Sequence, residues 1–212
     1  MRRSEARRAI GFFCLFCFCL PDSDEFSAAA RAAAPKSAGG EKVTVHHRPA
    51  SDAELSAAAF KSIVPVLRNP RCMNCHSSGD SPRQGDDRRP HLMQIRRGPD
   101  GRGTSTVKCS TCHQDRNLAG RHMPPGAPDW HLPSPVEPLV WEGLTDRQLC
   151  QLVLDPRQNG SRSPEAIVEH MQTPLVQWGF HPGEGRAPVP MSSERFLALA
   201  KVWISRGAAC PP

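Results

Sequence analysis

Cys72-Met73-Asn74-Cys75-His76 and Cys109-Ser110-Thr111-Cys112-His113 decide how this 212-residue chain is read. In a CxxCH motif, two thiols separated by two residues can each add to one vinyl group of the same haem, and the adjacent His is carried under the iron as its proximal ligand. With 9 Cys and 9 His in 212 residues, chance supplies on the order of 0.02 such motifs, so two of them call for an explanation. The expectation is two haem c groups, held by Cys72, Cys75, Cys109 and Cys112, with His76 and His113 as iron ligands.

Two rivals share the CxxC spacing. Four thiolates in two CxxC pairs form structural zinc sites, but 33 residues separate Cys75 from Cys109, longer than is usual. Zinc would also leave His76 and His113 unexplained. A thioredoxin-like dithiol needs a βαβ setting, and neither motif has one.

The N-terminus supplies the compartment. Arg2, Arg3, Arg7 and Arg8 precede the apolar run Ile10 to Leu20, which is followed by Pro21 and the small-residue tract Ser27 to Ala34. That order is the layout of a secretory signal, so residues 1–34 are expected to be removed and the mature protein to reside in the periplasm. The apolar run is too short for a membrane span, and an integral membrane protein is not expected. Arg7-Arg8 would suit the twin-arginine route, yet haem attachment to an unfolded exported chain favours general secretion. Cleavage as a lipoprotein at Cys14, Cys17 or Cys19 is the alternative.

Cysteine arithmetic follows. Of 9 Cys, three lie in the signal and four in the motifs, which leaves Cys150 and Cys210. An oxidising compartment permits them to pair; two buried free thiols are the alternative. Five of the 27 Lys+Arg and four of the 21 Asp+Glu fall within 1–34, leaving 22 against 17, a formal +5. Haem propionates would offset this balance, so it selects no partner. Nucleic acid is not expected, because no aromatic residues interleave with the arginines and the protein is exported. The cluster Arg83, Arg88, Arg89, Arg96, Arg97 and Arg102 is a candidate for pairing propionates or docking an acidic electron partner, with a solvated loop as the plainer reading.

Twenty-two Pro, 16 Gly and no Tyr imply a chain rich in turns and extended loops. Residues 35–50 read as a flexible linker, and the folded domain spans 51–212. Ser51 with Glu54 forms a capping box, and Leu55, Ala58, Ala59, Ile63 and Val66 recur at helical spacing. A helix over 52–68 is expected, with Pro65 in its last turn and its stripe against the first porphyrin. Residues 77–108 and 114–142 read as loop. Thr145 caps a helix through Leu149, Leu152 and Val153 that stops at Asp155-Pro156, and Ser163-Pro164 opens another through Ile167 and Met171. Ser192 or Ser193 begins a final helix carrying Phe196, Leu199, Ala200, Trp203 and Ile204, stopped by Gly207. The fold class expected is mostly α and loop-rich, organised around two haems, with at most short strands.

The sixth iron ligands are open. His91, His122, His131, His170, His181 and Met73, Met93, Met123, Met171, Met191 are available. His91 ranks first, in a loop with no core role for it. His131, after Trp130 in a Pro-rich loop able to fold over a porphyrin, and His170, on the face of Ile167, come next. Met123 before Pro124 follows. The choice matters because His/His ligation gives lower potentials than His/Met.

At these residues the chain resembles a family of bacterial diheme c-type cytochromes labelled as an isoquinoline 1-oxidoreductase subunit. The resemblance covers about residues 55–211. It rests on PVLRNPRCMNCH (65–76), PRQGDD (82–87), PHLMQIRRGPDGRGT (90–104), CSTCHQDRN (109–117), PPGAPDWHLP (124–133), EGLTDRQLCQLVLDPRQNG (142–160), LVQWGFHPGEGR (175–186) and WISRGAACP (203–211). It implies covalent haem and electron transfer, and the enzyme label implies association with, or naming after, a molybdenum hydroxylase-type dehydrogenase. Relatives often carry a Met shortly after WHLP, where this chain reads Ser134-Pro135-Val136-Glu137-Pro138-Leu139; that departure favours the His candidates. The function expected is a periplasmic carrier of single electrons between a dehydrogenase and an acceptor, with no catalytic residues. The alternative is a haem enzyme, peroxidase- or reductase-like, with one open iron.

Overall fold

The computed structural model describes residues 48–212. The leader expected over 1–34 and nearly all of the linker lie outside the described residues. Among the described residues there are six α-helices and one two-stranded hairpin: α1 Asp52–Leu67, α2 Pro70–Met73, β1 Arg83–Gln84, β2 Arg89–Pro90, α3 Asp146–Leu154, α4 Pro164–Met171, α5 Pro174–Gln177 and α6 Ser193–Ser205. The fold is mostly helical and loop-rich. Among the described residues no helix is long and apolar enough to cross a membrane.

Local caps set the helix starts. The Ser51 hydroxyl accepts from the Glu54 N–H, and the Glu54 carboxylate accepts from the Ser51 N–H at 2.7 Å. Thr145 and Gln148 make the same reciprocal pair at α3, and Ser163 and Ser192 cap α4 and α6. Each side chain satisfies a backbone N–H that the first helical turn leaves without a partner. Helix α6 ends at Gly207, whose φ of +98° belongs to the left-handed region that glycine tolerates. The Ala208 N–H then closes onto the Trp203 carbonyl at 3.0 Å.

The core forms where α1 crosses α6, with α3 and α4 against their flanks. Phe60 and Trp203 are its centre, both fully buried with ring centres 4.7 Å apart. The buried face of α1 is Ser56, Ala59, Phe60, Ile63, Val64, Val66 and Leu67. Leu55 and Ala58, assigned to the core by their spacing, are exposed. The partner helix decides this: Ser56 is drawn inside because its hydroxyl donates to the Trp203 carbonyl at 2.6 Å and accepts from the Ala209 N–H at 2.8 Å. The stripe of α1 therefore packs mainly on α6, and only Val66 and Leu67 at its end reach the cavity beside the first CxxCH. Pro65 is accommodated within α1.

Cys150 of α3 and Cys210 of the tail are disulfide-bonded, with Cα atoms 5.6 Å apart across 60 residues of sequence. This ties the end of α6 back onto α3. The segment 77–108, read as loop, also contains the β1–β2 hairpin, with Arg83 opposite Pro90 and Gln84 opposite Arg89. So short a ladder has no alternation for a sequence to display.

Candidate functional site

Both CxxCH motifs adopt the same compact turn. Asn69 caps α2, its side-chain oxygen accepting from the Arg71 N–H at 2.9 Å, and Pro70 occupies the first helical position. The turn continues past α2 as Cys75 and His76 donate to the Cys72 carbonyl at 3.1 and 3.2 Å. In the second motif Cys112 and His113 donate to the Cys109 carbonyl at 3.2 and 2.9 Å. Residues three apart on a helical turn share a face, so each pair of thiols is presented on one side. All four cysteines are free thiols. Burial pushes the Cys72 and Cys75 thiols up to about 12 and about 11.

The two histidines are oriented alike. His76 Nδ1 lies 3.0 Å from the Leu139 carbonyl, and His113 Nδ1 lies 2.7 Å from the Pro125 carbonyl. A carbonyl only accepts, so Nδ1 carries the hydrogen and Nε2 keeps its lone pair, the tautomer that a metal-ligating imidazole needs. Each ring lies on an indole: His76 on Trp141, centres 3.7 Å apart and planes 1° from parallel, and His113 on Trp130 at 4.5 Å and 3°. Burial holds both imidazoles below their usual pKa, His76 down to about 4. Both are therefore neutral at physiological pH.

Of the eight described non-glycine residues with positive φ, four lie beside these groups. Leu139, the acceptor for His76, has φ +42°, Asp129 beside Trp130 has +59°, and Met93 and Gln94, just after His91, have +61° and +51°. Non-glycine residues avoid this region unless their surroundings hold them there, and such outliers cluster at functional sites. Gly101, at φ +78°, answers a steric demand instead: a Cβ there would sit 2.1 Å from the Leu132 carbonyl. The Leu132 N–H bonds the Gly101 carbonyl at 2.9 Å, holding the Trp130–Leu132 segment against the loop before the second motif.

Beside the first motif lies a largely apolar cavity of about 380 Å³, walled by Cys72, Cys75, His76, Trp141, Trp130, His131 and His170 among others. This volume is in the range of small-molecule sites. Two of its walls carry buried N–H donors with no acceptor, Arg71 Nε and Trp141 Nε1. The Arg71 side chain is 2% exposed and ion-paired to Asp86. A buried donor left unpaired costs about 1–3 kcal/mol, a cost that a bound carboxylate would remove. An apolar plate bearing carboxylates, tethered at Cys72 and Cys75, suits this wall: thiols on one edge, a neutral imidazole beside them, and orphaned donors for the acid groups.

Four residues were candidates for a sixth ligand. His131 and His170 both line this cavity. The His131 Nδ1 is bonded to the Asp129 carbonyl at 2.6 Å. Burial, then the charges of Arg162 and His131, push His170 down to about 4. His91 is at the second motif, its ring centre 6.1 Å from that of His113. Met123 is 42% exposed and absent from the cavity wall.

The arginine cluster is not a free basic face. Arg88 pairs with Glu142, Arg89 with Asp87, Arg96 with Asp80 and Arg102 with Asp129, while buried Arg97 donates to the Pro133 carbonyl. The pairs with Glu142 and Asp129 tie separate loops, while Asp87 and Asp80 lie in the same segment as their arginines. The arginine suited to a carboxylate in the first cavity is Arg71, which sequence reading did not single out. Trp141 was likewise missed, because stacking between residues 65 apart leaves no local signal.

Trp130 connects the two motifs. While lying flat on His113, it meets Trp178 edge-on, centres 5.0 Å apart and planes 82° apart, and both indoles line the cavity of the first motif. The Trp178 N–H is fixed by Asn117 at 2.9 Å. Among the described residues no three His, Cys, Asp or Glu side chains converge on a common metal position, so the four CxxC thiols are not gathered into one cage. Set against protein-family models, curated proteins and solved structures, the chain matches none of them.

Proposed function

We propose that this protein is an exported diheme c-type cytochrome that passes single electrons between a dehydrogenase and an acceptor. The observation that carries the reading is the paired construction of the two CxxCH motifs. In each, the His donates Nδ1–H to a loop carbonyl, lies flat on a tryptophan, is held neutral by burial and keeps Nε2 for a metal. The orphaned donors of Arg71 and Trp141 beside the first motif point the same way.

When bound, each haem supplies one-electron iron chemistry, with a potential governed by its axial ligands, burial and nearby hydrogen bonds. The chain does the rest. Cys72, Cys75, Cys109 and Cys112 tether; His76 and His113 ligate; the Leu139 and Pro125 carbonyls fix the imidazole tautomer and raise ligand basicity. Arg71 and the Trp141 N–H stabilise carboxylates in a site of low dielectric. Trp130 and Trp178 bridge the gap between the second motif's His and the first motif's cavity, keeping the two centres in one apolar body. A redox partner of the molybdenum hydroxylase type is the donor implied by the resemblance.

The test is potentiometry on protein produced with haem-maturation machinery and recovered from the periplasm. Two one-electron waves with c-type spectra support the reading. A protein without a Soret band overturns it.

A further inference from the structure

His91 stands beside His113, the histidine of the second motif. His76 and Trp141, and His113 and Trp130, touch face to face, but His91 and His113 stand 6.1 Å apart with planes 59° to each other. That separation lies within the range of a tilted aromatic pair. It also matches two imidazoles on opposite sides of one metal. With metal–nitrogen bonds of about 2 Å and roughly 1.2 Å from nitrogen to ring centre, trans imidazoles would hold their centres about 6.4 Å apart.

The protonation pattern agrees. His91 Nδ1 is 2.8 Å from the Leu92 carbonyl, so this ring, like His113, spends its N–H on backbone and leaves Nε2 free. The segment is also held. The His91 N–H donates to the Pro82 carbonyl at 3.2 Å, the Leu92 N–H to the Gln84 side chain at 2.9 Å, and Met93 and Gln94 both carry left-handed backbone. Two consecutive non-glycine residues in that region carry strain. In the same three-residue turn Leu92 and Met93 stay largely exposed, so burial of apolar surface is not what holds it. Its evident product is the placement of His91.

We infer that His91 is the second axial ligand of the iron at Cys109–His113, which closes that iron to small molecules and makes it an electron-transfer site. The inference rests on the proposed haem at this motif. The carbonyl bond to Leu92 positions the ring, and the hairpin clamp at Pro82 and Gln84 sets its height.

Periplasmic His91→Gly and His91→Met proteins, checked for haem content by intact mass, test this. In the wild type, paramagnetic resonance should show the second haem low-spin. In His91→Gly one of the two haems should turn high-spin and bind carbon monoxide, and added imidazole should return it to low-spin. In His91→Met one reduction wave should move positive while the other stays. If His91→Gly retains both haems and both low-spin signals, and His91→Met leaves both waves unmoved, His91 is not the ligand. A wild-type mass lacking haem at Cys109–Cys112 overturns the underlying cytochrome reading instead, so the two failures are distinguishable.

Discussion

Trp130 lies flat on His113, ring centres 4.5 Å apart and planes 3° from parallel, while its edge meets Trp178. An aromatic pair contributes about 0.5–1.5 kcal/mol beyond its buried area. Replacing Trp130 with Leu should lower the stability of the holoprotein by at least that amount in denaturant titration. It should also shift the midpoint potential of the His113 iron more than the other, because the packing that orients the ligand is lost. Equal shifts of both potentials would argue against this localised role.

Acid should loosen the fold through buried neutral imidazoles. His170 and His76 are held at about 4, mainly by burial, against an ordinary value of 6.5. As pH falls below that ordinary value, the unfolded chain takes up protons that the folded chain refuses. Stability therefore declines from about pH 6.5 toward 4 and is flat with respect to these groups above that window. Iron coordination at Nε2 would depress the folded values further and keep the sign. Thermal midpoints across this range should show the decline, and His170→Leu should remove about one proton from the slope. Midpoints that rise on acidification would contradict it.

The Cys150–Cys210 bond closes a loop across 60 residues, for which chain entropy gives about 4 kcal/mol of stabilisation at 25 °C. The Cys150→Ala/Cys210→Ala protein should retain both haem attachments while its denaturant midpoint falls. An unchanged midpoint would mean the bridge constrains little.

Trp203 is fully buried on Phe60, and Ser56 joins the Trp203 carbonyl to the Ala209 N–H. Trp203→Ala should cost about 3–5 kcal/mol. Ser56→Ala, which strands the half-buried Ala209 N–H while the Trp203 carbonyl keeps the Ala208 N–H, should cost about 1–3 kcal/mol. A Ser56→Ala protein of wild-type stability would show that water replaces the hydroxyl.

What could be read from the sequence was local chemistry. Ser51 with Glu54, Thr145 with Gln148, Ser163-Pro164 and Ser192 start helices through bonds that span three residues, so their positions follow from neighbours alone. The buried face of α1 did not, since Leu55 and Ser56 exchange places only when α6 supplies a partner for the Ser56 hydroxyl. The CxxCH residues were legible because two thiols and an imidazole must be adjacent. Trp141 on His76 and the carbonyls of Leu139 and Pro125 come from other segments, and only folding brings them there, while Arg71 directly precedes Cys72 and only the fold shows that its side chain enters the cavity wall. Arg88 and Arg102 look unpaired in the sequence because their partners Glu142 and Asp129 lie in other segments.

The central claim, that each CxxCH motif carries one covalent haem, is tested most directly by the intact mass of the protein purified from a host with haem-maturation machinery. The account predicts the polypeptide plus two haem masses, falling to one in Cys72→Ser/Cys75→Ser and to one in Cys109→Ser/Cys112→Ser. A polypeptide mass with no haem, or with zinc in its place, would contradict it.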